Sequence, residues 1–283
     1  MSNKLRKIAS SCKAIIEKRL YVFYCYIRLL YYNHKLKRNL KTKEKNKVPF
    51  REPVIHFICF SCRSHFEYLF ILLKSLVDLR SKHIGNIYFY IDKTDYLAEE
   101  QIESLRKLTP ELIIRKTGKF ARFGEDFILI ELQSFKEVEK EINPGDYVAK
   151  IDSDVKFLSD NVFKKVLDDQ ESHMIGCPYT TDKGRKYISG GCYFLHKEAI
   201  VKIISNDLYD VFKTTGAAYA HPWYHLPEDM TMLVAVKKYG GKIRLIDFHL
   251  PLDKLGNITK KDKEQYSVIH FYRCRDKMLE SEI

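Results

Sequence analysis

From Val54 onward, short apolar runs alternate with segments of helical periodicity, and this alternation restricts the fold more than any other feature of the chain. Residues 54–60 (VIHFICF) and 86–92 (NIYFYID) read as strands, each followed by a helix, near 64–79 and 98–108. A short strand over 112–115 precedes a helix from about Glu125 to Ile142, on which Ile128, Leu132, Phe135, Val138 and Ile142 recur at helical spacing. The strand 147–151 (YVAKI) follows. This order predicts an α/β fold with a mostly parallel sheet flanked by helices on both faces. Beyond Val155 the pattern loosens. It predicts a helix near 161–168, strands around 174–178 and 189–195, a helix over 197–205, a long loop from Tyr209 to Leu226, a helix from Pro227 to Tyr239 and a strand near 242–247.

Charge divides the chain in two. Residues 1–50 hold 14 Lys and Arg against two acids, whereas residues 51–283 hold 35 basic and 35 acidic side chains. The whole excess of +12 therefore sits on a basic, aromatic N-terminal extension, with a linker over 33–52 and one folded domain over 51–283. A neutral body argues against nucleic acid as a partner. Within the extension, Leu20 to Tyr32 is apolar or aromatic apart from Arg28 and is flanked by basic residues. Its 13 residues fall short of the roughly 17–25 that span a bilayer, and suit the headgroup region of an anionic membrane. Docking on the protein's own core or on a second subunit is the alternative. Seven cysteines without framework spacing fit a reducing compartment, and Cys59 and Cys62 at the end of a strand read as small hydrophobes.

Tyr147 to Val155 runs a buried strand directly into Asp152 and Asp154. Alternate side chains at a strand tip project to one side, so the two carboxylates can converge on a hard cation, Mg²⁺ or Mn²⁺, and through it on a diphosphate. In a parallel sheet, ligands collect beyond the carboxyl ends of the strands, where this pair falls. A solvated strand-to-loop turn is the plain structural alternative. Ser189-Gly190-Gly191 enters a strand through two glycines, which permits either a close backbone approach to a ligand or a simple bulge. Pro227-Glu228-Asp229 opens a helix, where proline and acids are locally favoured, yet a carboxylate beside a metal–diphosphate site is also what a general base requires. His270 lies in an apolar strand as either a satisfied core residue or a late metal ligand.

In this order the motifs resemble the GT-A glycosyltransferases, and most closely glycosyltransferase family 31, the β1,3-galactosyltransferase and Fringe-like enzymes. Lys150 to Val155, Ser189 to Leu195 and Pro227 to Thr231 carry the resemblance, which covers roughly residues 54–272. It implies a GT-A-like fold and inverting transfer of a hexose or N-acetylhexosamine from a nucleotide sugar, a UDP-sugar above all, to a glycan or glycolipid. It implies Asp154 and His270 as metal ligands, Asp152 on the metal or the ribose, and Asp229 as base with Glu228 as its substitute. Ser61, Arg63, Lys150 and Arg122 fall on the donor side, with Lys119, Arg185 and Lys186 as further basic candidates for the diphosphate. Ser189, Gly190, Gly191, Trp223 and Tyr224 fall on the acceptor side, with His221 and His225 in the same loop.

Neither a membrane-spanning anchor nor lumenal disulfides, both found in animal members of family 31, is evident in the sequence. A cytoplasmic enzyme, peripheral at the membrane face, fits better than one in the Golgi lumen. Two rival readings remain: a retaining GT-A enzyme, and a non-catalytic membrane-bound module whose basic arm binds lipid or RNA.

Overall fold

The computed structural model describes residues 51–118, 125–180, 186–206, 228–272 and 274–280, together with Lys13, Ile16 and Leu20. Strand β1 (Ile55–Ser61) is buried at every position, as a central strand covered on both faces must be. It pairs in parallel with β2 (Ile84–Asp92) on one side and with β4 (Tyr147–Asp152) on the other, and β3 (Ile113–Thr117) extends the β2 side. Strands β7 (Lys186–His196), β6 (Met174–Thr180) and β8 (Ile243–Leu245) complete a seven-stranded sheet of order β3-β2-β1-β4-β7-β6-β8. Only β7 runs antiparallel to its neighbours, so the mostly parallel sheet read from the sequence is present.

Helices cover both faces. One face carries Phe57, Cys59, Ala149, Ile151 and Phe194, packed against α1 (Phe66–Asp78), α2 (Glu99–Leu108) and α4 (Asn161–Leu167). The other carries Ile58, Tyr88, Val148, Tyr193 and Leu195, packed against α3 (Glu125–Glu139), α5 (Lys197–Ser205) and α6 (Glu228–Lys238). The apolar stripe read for α3 is buried as expected, from Ile128 to Val138.

The strand order reverses between β1 and β4, and the carboxyl ends of these two strands meet there, with Phe60 opposite Asp152. This is the topological switch point at which open α/β sheets bind ligands. A second sheet is built directly beyond it. Strand β5 (Val155–Phe157) pairs antiparallel with β9 (Val268–His270), so that Val155 faces His270. Two short helices near the C-terminus, α7 (Lys260–Gln265) and α8 (Arg275–Glu280), follow no apolar period and were not expected, and neither was β5. The strand expected over 242–247 is shorter, at Ile243–Leu245, and that expected over 189–195 is longer, at Lys186–His196.

Candidate active site and metal centre

Asp152 ends β4, and Asp154 sits one turn later, 2% exposed, where the chain enters β5. The β5–β9 pairing brings the C-terminal segment onto this turn, and Phe271 N–H donates to the Asp154 carbonyl at 2.9 Å. As a result His270 Nε2 stands 3.5 Å from Asp152 Oδ2 and 3.4 Å from Asp154 Oδ1. One ligand atom from each of the three residues lies within 4.8 Å of the other two. His270 Nε2 is buried and makes no hydrogen bond among the described residues. Adjacent ligands of a small octahedral cation are about 3 Å apart, so a nitrogen without a hydrogen bond that faces two carboxylates at this spacing fits a divalent metal.

The electrostatics agree. Burial alone would lower the His270 pKa, but the facing carboxylates of Asp152 and Asp154 overcome it and hold the group up at about 9. Burial would raise both acids, yet Lys150 draws Asp152 down and His270 and Arg275 draw Asp154 down. The two carboxylates are thus arranged to retain a positive charge, whether a proton on the imidazole or a metal cation in its place. Arg275 Nε donates to Asp154 Oδ2 at 2.6 Å and leaves Oδ1 turned toward His270.

The two glycines act by size. A Cβ at Gly191 would lie 2.2 Å from His270 Nδ1, and one at Gly190 would lie 2.9 Å from Glu228 Oε1 and 3.2 Å from Asp229 Oδ2. The β6–β7 register shifts between Gly176 and Pro178, where it faces Tyr193 and then Ile188. Ile188 and Tyr193 consequently pack on the same face of the sheet although their sequence parity differs. The groups that crowd Gly190 and Gly191 are the protein's own acid and imidazole side chains, where the sequence suggests a ligand or a simple bulge.

Glu228 and Asp229 open α6, and Asp229 is buried beside Gly190. Burial, with Glu228 alongside, pushes the Asp229 carboxyl well above the usual range. Glu228 Oε1 accepts from Lys150 Nζ at 2.8 Å, and the same ammonium donates to Asp152 Oδ1 at 2.7 Å and to the Gly190 carbonyl at 2.9 Å. Lys150 thereby commits all three of its N–H groups within the protein.

Ser61 is buried at the end of β1, and its Oγ is enclosed and unpartnered among the described residues. Arg63 is half-exposed and pairs with Asp95 at 3.3 Å, while Ser189 is half-buried. Arg122, Lys119, Arg185, His221, Trp223, Tyr224 and His225 lie outside the described residues, as does the side chain of Lys186.

Three participants went unnoticed in the sequence. Glu131 is fully buried on α3, accepts from the Tyr193 hydroxyl and is pushed by burial up to about 8. An acid on the apolar stripe of a helix was the available signal. His249 Nε2 is buried without a hydrogen-bond partner among the described residues, its ring is 6.1 Å from that of His270, and burial pushes its pKa down to about 3. Arg275 carried no signal, because nothing in the sequence brings it to Asp154.

No protein-family model matches the chain and no curated protein matches it in sequence, so the finer resemblance to family 31 finds no support. Solved structures do match in shape. The bifunctional glycosyltransferase WbbM superimposes with a TM-score of 0.50 at 11% identity, over 83% of this chain and 50% of WbbM. The glycosyltransferase GlyE of Streptococcus pneumoniae superimposes with a TM-score of 0.50 at 13% identity, over 82% of this chain and 61% of GlyE. The galactosyltransferase LgtC, solved with donor and acceptor sugar analogues, gives 0.49 at 13% identity over 80% of this chain and 95% of its own. The chain spans about half of WbbM and three-fifths of GlyE. With the parallel sheet, its switch point and the acid–imidazole cluster in place, the fold is that of the GT-A-type glycosyltransferases.

Proposed function

We propose that the protein is a metal-dependent glycosyltransferase that moves a hexose or N-acetylhexosamine from a nucleotide diphosphate sugar, a UDP-sugar above all, to a glycan or glycolipid hydroxyl with inversion. The observation that carries this reading is the convergence of Asp152, Asp154 and His270 at the switch point of a glycosyltransferase fold. Asp152, Asp154 and His270 would hold Mn²⁺ or Mg²⁺, which would supply charge stabilisation for the leaving diphosphate. Ser61, at the end of β1 and with no hydrogen-bond partner for its Oγ among the described residues, is assigned to the nucleotide side. Asp229 takes the acceptor proton. Its surroundings disfavour the ionised form, and a carboxylate so placed accepts a proton more readily than an exposed aspartate.

The N-terminal extension is assigned to an anionic membrane surface. Lys13, Ile16 and Leu20 are helical, and Ile16 and Leu20, one turn apart, present 57% and 64% of their surfaces to solvent. Among the described residues no helix is long and apolar enough to cross a bilayer. Adsorption to phosphatidylserine vesicles that weakens with salt, and disappears when the chain starts at Pro49, supports this assignment. Equal binding by the shortened chain removes it.

The activity is tested by incubating the full chain with a panel of nucleotide sugars, with and without Mn²⁺, and following nucleotide release and the anomeric configuration of the product by NMR. Mn²⁺-dependent consumption of one donor is the expected result. Consumption of none, or equal consumption in chelator, contradicts the reading.

A further inference from the structure

Lys150 is 2% exposed on β4, with Asp152 two residues ahead on the same side of the strand, and its ammonium reaches three oxygens from three elements. Asp152 also presents its second oxygen to His270, and Glu228 precedes Asp229 at the start of α6. One buried cation therefore contacts both Asp152 of the cation cluster and Glu228, the neighbour of the proposed base Asp229. The ammonium also lies 5.8 Å from the centre of the Tyr193 ring, whose hydroxyl donates to Glu131. No N–H of Lys150 is left for a substrate.

We propose that Lys150 is a positioning residue that couples Asp152 to Glu228 through one buried ammonium seated on the Gly190 carbonyl, so that the two sides of the site hold a common geometry. This rests on the cation site of the preceding section. Orientation and plain charge make opposite predictions for it. Removing a positive charge beside Asp152 would on Coulombic grounds tighten a divalent ion, whereas losing the group that aims Asp152 loosens it.

The test is Mn²⁺ binding to the full chain, read from the free-ion EPR signal, and it needs no turnover. Lys150→Met is expected to weaken Mn²⁺ binding by about tenfold, the scale for losing an outer partner of a metal ligand. Glu228→Gln, outside the cation cluster, is expected to weaken it by about threefold in the wild-type background and to add nothing in the Lys150→Met background. Circular dichroism confirms the fold of each variant. Unchanged or tighter binding by folded Lys150→Met overturns the proposal. Should that variant fail to fold, unchanged binding by Glu228→Gln overturns it instead. A wild-type chain that binds no Mn²⁺ removes the cation site and this coupling together, whereas binding in wild type with equal binding in the variants removes the coupling alone.

Discussion

Gly191 and His270 approach so closely that a single methyl group at position 191 would lie 2.2 Å from Nδ1 and 2.5 Å from Cγ and Cε1 of the imidazole. The backbone at Gly191 is not in the left-handed region, so the glycine is required for room and not for conformation. The contact joins the central sheet to the small β5–β9 sheet and fixes where the ring stands.

Gly191→Ala should accordingly displace His270, destabilise the fold by about 1–3 kcal/mol through overpacking, and weaken Mn²⁺ binding. Gly190→Ala meets Glu228 Oε1 at 2.9 Å and Asp229 Oδ2 at 3.2 Å, a looser clash than the 2.2 Å at Gly191, and should cost less. Thermal melts of both variants check the order, and equal effects would mean that the ring is free to move.

The sharpest test of catalysis falls on Asp229. Asp229→Asn keeps shape and hydrogen bonding but cannot accept a proton, so kcat should fall by about 10²-fold or more with donor binding near normal. Lost donor affinity would give Asp229 a binding role. Near wild-type kcat, with chemistry rate-limiting, would pass the base to Glu228.

A separate prediction concerns acid stability at the far end of β1 and β4. Asp146 is fully buried and accepts from Val54 N–H at 3.0 Å, Asn143 N–H at 2.8 Å and Arg51 at 2.9 Å, with His56 Nε2 at 3.1 Å. Burial would raise its carboxyl, but His56 and the two backbone donors hold it below the ordinary value. A carboxyl lowered on folding contributes stability that is complete above the unfolded value, about 3.9, and is lost as pH falls through the folded value. Asp146→Asn should therefore cost about 3 kcal/mol at pH 7, with the gap to wild type closing below about pH 4. Urea melts across this range measure the gap, and a constant difference would contradict the assignment.

How much of this was legible in the sequence depended on segment length and spacing. Strands β1, β2 and β4 are long apolar runs, and α3 repeats its apolar residues over four turns, so the parallel half of the sheet and the edge that carries Asp152 could be read directly. Strands β5 and β9 have three residues each and pair across more than a hundred positions, too short for a period and too distant for a hairpin signal. Hence His270 could be named as a candidate, but its meeting with Asp154 could not be derived. Helix α7 (KKDKEQ) lacks an apolar face, although its Thr259–Asp262 capping box was visible in principle. Lys150 reads as a charge within a buried strand, which announces that partners exist without naming Glu228.

The most direct test of the central claim is calorimetric titration of UDP into the wild-type chain and into Asp154→Ala, each with Mn²⁺ and with chelator. Asp154 holds one of the two carboxylate oxygens facing His270, so the wild type should bind UDP only with Mn²⁺. Asp154→Ala should show no Mn²⁺-dependent binding while melting within about 4 °C of wild type. Mn²⁺-dependent UDP binding of undiminished affinity in Asp154→Ala would place the metal elsewhere and contradict the account.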